Sequence, residues 1–188
     1  YIVKTVAERF GQISLASIVQ ANQNRGVMDR TIHPIWPGRI CGKAFPIEIQ
    51  PEYGKISESL IENVEKDAIL VVGTKEFPSS FLDEEQQCNL KRHGIAGMIT
   101  DGMVRNAANW KTLKLPVFAK GINDRLQNGT EEIEPEHRIL CGGVAVSKGD
   151  YIFADSDGII VIPEKNLENI LNAAEMIEKE KQKLIEQI

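Results

Sequence analysis

A single guanidinium at the end of an apolar run is the group in this sequence best placed to do chemistry. Residues 94–106 read Gly-Ile-Ala-Gly-Met-Ile-Thr-Asp-Gly-Met-Val-Arg-Asn, so a buried strand stops at Asp101-Gly102 and Arg105 follows directly. Open α/β sheets collect ligands at such strand ends, and an arginine there can hold a carboxylate or phosphate through two parallel hydrogen bonds. A surface arginine in a turn is the plain alternative on spacing alone. The next residue, Asn106, is neutral where a metal-assisted site would want a carboxylate.

Two acidic clusters are the other candidates. Asp83-Glu84-Glu85 opens a helical pattern, where carboxylates are also favoured simply by the exposed amides and the macrodipole. Asp155-Ser156-Asp157-Gly158 resembles part of a calcium loop but lacks the remaining ligands and the closing glutamate, so it reads as a hairpin turn. Cys41, Cys88 and Cys141 share no metal-ligand spacing, and His33, His93 and His137 are equally scattered, which makes buried thiols and structural or solvated imidazoles the expectation. No nucleophile elbow, phosphate loop or dinucleotide glycine signature occurs.

Net charge is −5 and the 22 basic residues are dispersed, which argues against a protein that coats nucleic acid. A small anion held at one cationic point remains compatible with that balance. No apolar stretch approaches the roughly 20 residues that span a bilayer. Cysteines without a pairing pattern fit a reduced, cytoplasmic setting. The 188 residues suffice for one domain, with a helical N-terminal arm over about 1–25 and a C-terminal helix over about 165–187.

The elements that must position Arg105 follow from periodicity. Apolar spacing predicts helices over 2–11 and, after Ser14, over 15–24. Strands are expected at 32–35 and 40–49, a helix at 56–64, and a strand buried on both faces at 68–72. A helix over 82–93 leads to the strand 95–100, a short helix over 106–113 and a strand at 117–119. Residues 121–136 read as a loop, followed by strands at 142–146, 151–154 and 159–162. The final helix carries the stripe Leu167, Ile170, Leu171, Ala174, Ile177, Leu184 and Ile188. Such terminal stripes on a small domain are expected to be covered by other copies of itself.

Order and wording add what spacing cannot. Ile32-His33-Pro34-Ile35, Gly42-Lys43-Ala44-Phe45, Asp67–Val72 and Gly97–Arg105 are followed by Leu115–Gly121, Cys141-Gly142-Gly143-Val144, Gly149-Asp150 and Ala154–Pro163. Together these resemble the RraA-like family, which holds the regulator of ribonuclease activity A and the 4-hydroxy-4-methyl-2-oxoglutarate aldolases. Members have also been labelled dimethylmenaquinone methyltransferases. The resemblance covers about residues 13–180 and is strongest from Gly94 onward.

It implies an α/β fold of the swivelling β/β/α type, assembled as a homotrimer or, from two rings, a hexamer, with the active site between protomers. It also implies a divalent metal, magnesium or manganese, and cleavage of small 2-oxo acids such as 4-carboxy-4-hydroxy-2-oxoadipate, with decarboxylation of oxaloacetate. Metal and arginine would together polarise the keto group and hold the enolate formed.

Carried over by residue, Arg105 matches the arginine that contacts the substrate keto oxygen and carboxylate. Asn106 stands where active members have the aspartate that ligates the metal. Asp83 takes the glycine position of the amide loop that cradles the substrate carboxylate, with Glu85 and Gln86 beside it. Glu84 takes the place of a second, metal-water-binding aspartate with a catalytic role. Glu178 falls near a glutamate contributed by the neighbouring subunit.

Asn106 offers only a neutral carbonyl to a cation that prefers anionic oxygen, and Asp83 adds charge where a substrate carboxylate would sit. The sequence therefore supports either a metal-dependent lyase with altered ligands or a non-catalytic member that binds a small carboxylate or a protein partner. A true methyltransferase would need a glycine-rich nucleoside loop after its first strand, which is absent.

Overall fold

The structure, a computed structural model, describes residues 3–188. In chain order its first elements are α1 (Val6–Phe10), α2 (Leu15–Ala21), β1 (His33–Trp36), β2 (Ile40–Glu48), β3 (Gly54–Lys55), α3 (Glu58–Glu62) and β4 (Ile69–Gly73). Then come α4 (Glu84–His93), β5 (Gly97–Thr100), β6 (Met103–Val104), α5 (Ala107–Leu113), β7 (Val117–Ala119), β8 (Gly121–Ile122) and β9 (Glu131–Glu132). The chain closes with β10 (Arg138–Cys141), β11 (Val144–Ser147), β12 (Tyr151–Asp155), β13 (Gly158–Ile162) and α6 (Leu167–Ile185).

Seven strands form one sheet in the order β1-β7-β5-β4-β2-β12-β13. The four central strands run parallel and the flanking pairs antiparallel. Parallel neighbours need a crossover between them, and α3, α4 and α5 supply it. Every residue of β4 is buried, as its unbroken apolar run predicts for a strand covered on both faces.

On one face Leu60, Ile61, Leu90 and Trp110 of the crossover helices pack on Leu70, Val72, Met98 and Val117. On the other, Ile139, Cys141 and Val146 of the β10–β11 hairpin cover Ile69, Val71, Ile99 and Phe118. The layers are thus hairpin, sheet and helices, the β/β/α architecture that the resemblance implies.

A third cluster joins α1, α2 and α6 to the β12–β13 end of the sheet through Phe10, Ile18, Phe153, Ile160, Leu171 and Ala174. Arg9 ties α1 to α6 by ion pairs with Glu168 and Glu175. The terminal stripes are therefore in good part covered within the chain. Val3 near the start of the chain, and Leu184, Ile185 and Ile188 at its C-terminal end, remain exposed.

Several boundaries differ from the periodicity reading for local reasons. Of the helix expected over 2–11, Ile2 lies outside the described residues, and α1 begins only after Thr5, whose side chain closes a capping box with Glu8. The strand expected at 142–146 is instead the second half of a hairpin. Gly142 and Gly143, at φ 57° and 75°, make its turn, and Arg138–Cys141 is its unforeseen first strand. The loop at 121–136 contains β8 and β9, which pair in parallel with β6 and β3 respectively. Among the described residues no helix is long and apolar enough to cross a membrane.

Candidate functional site

The ends of β4 and β5 are locked before the chain reaches Arg105. Asp101 is 6% exposed, and its Oδ1 accepts hydrogen bonds from Thr74 N at 2.7 Å and Thr74 Oγ1 at 2.9 Å. Thr100 Oγ1 donates to Val72 O at 2.8 Å and accepts from Gly102 N at 3.0 Å. A Cβ on Gly102 would stand 2.7 Å from Thr74 Oγ1, so the close passage of the two strand ends requires glycine there. Three residues on, the carbonyl of Arg105 accepts from buried Trp110 Nε1 at 3.0 Å and buried Gln87 Nε2 at 3.2 Å. The backbone of the arginine is thereby fixed from the helical layer.

Asn106 sits in the left-handed region at φ 54°, which asparagine tolerates better than most residues. It caps α5, its Oδ1 accepting from Asn109 N at 3.3 Å. Its Nδ2 donates to Glu84 Oε1 at 3.2 Å, and its backbone N donates to Asp124 Oδ1 at 3.1 Å. Glu84 Oε1 lies 3.4 Å from Arg105 Nε. That Nε is buried yet makes no hydrogen bond. The Asn106 amide, more than Arg105, holds the Glu84 carboxyl below the ordinary carboxylate value.

Of the residues expected at the site, the fold brings Arg105, Asn106 and Glu84 together, and adds Asp124. It gives Asp83 and Gln86 a different task. Asp83 Oδ1 accepts from Gln86 N and Gln86 Oε1 accepts from Asp83 N, both at 2.8 Å, while Gln86 Nε2 donates to Ile56 O at 2.9 Å. This capping box engages the backbone amides and side chains of Asp83 and Gln86. Glu85 projects from the same helical turn and is exposed.

Glu178 lies elsewhere in the chain, accepting hydrogen bonds from Ser14 N at 3.2 Å, Ser14 Oγ at 3.0 Å and Ser17 Oγ. The Ser17 hydroxyl is the main reason its carboxyl is held below the usual value. Glu178→Gln should cost about 1–2 kcal/mol by weakening these charge-assisted bonds. A depressed carboxyl stabilises the fold above its unfolded value and loses that contribution as pH falls through its folded one. The difference between the two proteins in urea unfolding should therefore shrink below about pH 4. An unchanged gap from neutral to acid would exclude this role.

The loop residues carried no motif, yet they strap the site. Ser80 N donates to Arg125 O at 3.0 Å, Asn123 Nδ2 to Pro78 O at 2.7 Å, and Asn128 Nδ2 reaches both Asp83 Oδ2 and Gln86 Oε1. After β4, Lys75 and Glu76 are both left-handed, at φ 54° and 60°. Two such non-glycine residues in succession carry strain of about 1 kcal/mol each, held by the Asp101–Thr74 bonds and the Glu76–Lys120 ion pair.

The remaining candidates read as structure. Asp157 N donates to Asp155 Oδ1 at 2.8 Å, as a hairpin turn requires. His33 Nδ1 lies 2.9 Å from Thr31 O. The three cysteines are free, and burial pushes the Cys141 thiol up to about 12.

Within one chain these side chains, as arranged, do not form a ligand set for a divalent cation. Asn106 turns its amide nitrogen, a donor, toward Glu84 and uses its oxygen to cap α5. Among the described residues no group of three or more His, Cys, Asp or Glu side chains is arranged to hold a metal ion. What the arrangement can do is receive a carboxylate on Arg105.

Comparison with known proteins gives the setting. The family described as "RraA-like: Aldolase/RraA" matches residues 12–161. An uncharacterized protein of Methanocaldococcus jannaschii is 32% identical over 151 residues, 79% of this chain and 73% of its own. A protein of Halalkalibacterium halodurans, provisionally named 4-hydroxy-4-methyl-2-oxoglutarate aldolase, is 38% identical over 84 residues. That match spans 45% of this chain and 40% of the relative's length. Streptomyces coelicolor RraAS2, described as an unusual member of the RNase ES inhibitor RraA protein family, superposes with a TM-score of 0.83. It is 22% identical over 96% of each chain, a likeness of fold.

Proposed function

This chain belongs to the RraA-like family, and we propose that it uses the family scaffold to bind small carboxylates at Arg105 without a divalent metal. One observation carries the reading: the hydrogen bond from Asn106 Nδ2 to Glu84. An aspartate at position 106 would set two carboxylates side by side and favour a cation between them. The amide instead satisfies Glu84 directly, so the pair has little need of a cation.

Arg105 retains the capacity to bind. Its Nε is a buried donor without a hydrogen-bond partner, and a ligand carboxylate could take it together with a terminal nitrogen in the bidentate geometry that guanidinium favours. Breaking a carbon–carbon bond beside a keto group demands more. The developing enolate needs concentrated positive charge, whereas Glu84 already offsets that of Arg105.

With oxaloacetate and magnesium the protein should give no decarboxylation beyond that of the metal alone. Oxalate should bind, and Arg105→Ala should weaken that binding at least about tenfold in calorimetry. Magnesium-dependent turnover abolished by Arg105→Ala would refute the reading. It would support the second one, a lyase on 2-oxo acids, which the match to the Halalkalibacterium halodurans relative favours.

A further inference from the structure

Resting on the carboxylate-binding reading, we infer that Glu84 is an internal competitor for Arg105. A ligand carboxylate must displace the protein's own carboxylate before it can bind. The contact between them has the character of a placeholder. Glu84 Oε1 is 3.4 Å from Arg105 Nε, close enough for attraction, yet no hydrogen bond forms and the Nε stays buried and unpartnered. A charged donor in that state gains on meeting a better-aligned oxygen. Glu84 loses little by leaving, since its side chain is 44% exposed and the Asn106 amide continues to hold it.

The neighbourhood makes this competition selective. Asp124 bonds to the backbone N of Asn106 and opposes ionisation of Glu84, so a second carboxylate lies within electrostatic reach of the first. An incoming anion therefore meets the Glu84 charge, with that of Asp124 behind it, until Glu84 swings aside. Asp124 contributes only through this field, whereas Glu84 also occupies the guanidinium. That difference separates a contact from a general charge effect.

Glu84→Gln keeps an oxygen to accept from Asn106 and removes the charge opposite Arg105. Exposed charge pairs alter affinities by factors of a few, so oxalate should bind Glu84→Gln about fivefold more tightly than the unmodified protein. Asp124→Asn, which preserves the bond to Asn106 N, should change affinity less than about twofold. Adding Arg105→Ala to Glu84→Gln should abolish the gain. Matching thermal melts would show that each variant is folded.

The inference is overturned if Glu84→Gln binds oxalate no better than the unmodified protein, or if Asp124→Asn gains as much. In either case, Arg105-dependent binding by the unmodified protein leaves the carboxylate-binding reading standing. Oxalate binding to neither the unmodified protein nor Glu84→Gln would sink both.

Discussion

Asn106→Asp is expected to turn a protein indifferent to magnesium into one whose melting temperature climbs with it. The substitution keeps the cap on α5, because aspartate serves that position as well as asparagine. It replaces a donor facing Glu84 by a second carboxylate and leaves Asp124 bonded at the backbone. Without a cation the like charges repel and should lower stability by about 1 kcal/mol.

With magnesium the same charges become ligands. A cation at one hundred times its dissociation constant adds about 2.7 kcal/mol, which for a chain of this size is several degrees of melting temperature. The unmodified protein should show no such rise. Equal magnesium responses in both proteins would mean that residue 106 does not decide metal binding.

Removing Trp110 should have the largest effect on stability. The indole is fully buried among the helices and sheet of the main core, and its Nε1 donates to the carbonyl of Arg105. Trp110→Ala should cost about 3–5 kcal/mol, a large share of the 5–15 kcal/mol typical of a folded domain.

Trp110→Phe is the more telling change. It keeps most of the ring and leaves the Arg105 carbonyl with Gln87 alone, at a cost of about 1–2 kcal/mol. If that carbonyl positions the guanidinium, oxalate affinity should fall as well. Urea unfolding and calorimetry read the two effects separately. Lost stability with unchanged affinity would reduce Trp110 to a packing residue.

The strand-and-helix order was legible because the central strands are buried on both faces and the crossover helices bury one stripe. Arg105 and Asn106 stood out because they follow such a strand directly. The β10–β11 hairpin was misread for a physical reason. Leu140 lies exposed between buried Ile139 and Cys141, and the two glycines of the turn adjoin an apolar run that looks like a strand by itself.

Asp83 illustrates a different limit. Its place in a first helical turn fitted a carboxylate favoured by the exposed amides, and the resemblance set it at a ligand cradle. The structure shows its side chain engaged in a capping box. Asp124 gave no sequence signal. It meets Asn106 only because the segment 121–136 is laid across Ser80, Pro78 and Asp83 by long-range bonds.

Calorimetric titration of the unmodified protein with magnesium, and then with oxalate in the presence and absence of a chelator, tests the central claim most directly. The amide at position 106 predicts no heat of magnesium binding at millimolar concentration and an oxalate affinity that chelation leaves unchanged. Saturable magnesium binding that oxalate strengthens would contradict it.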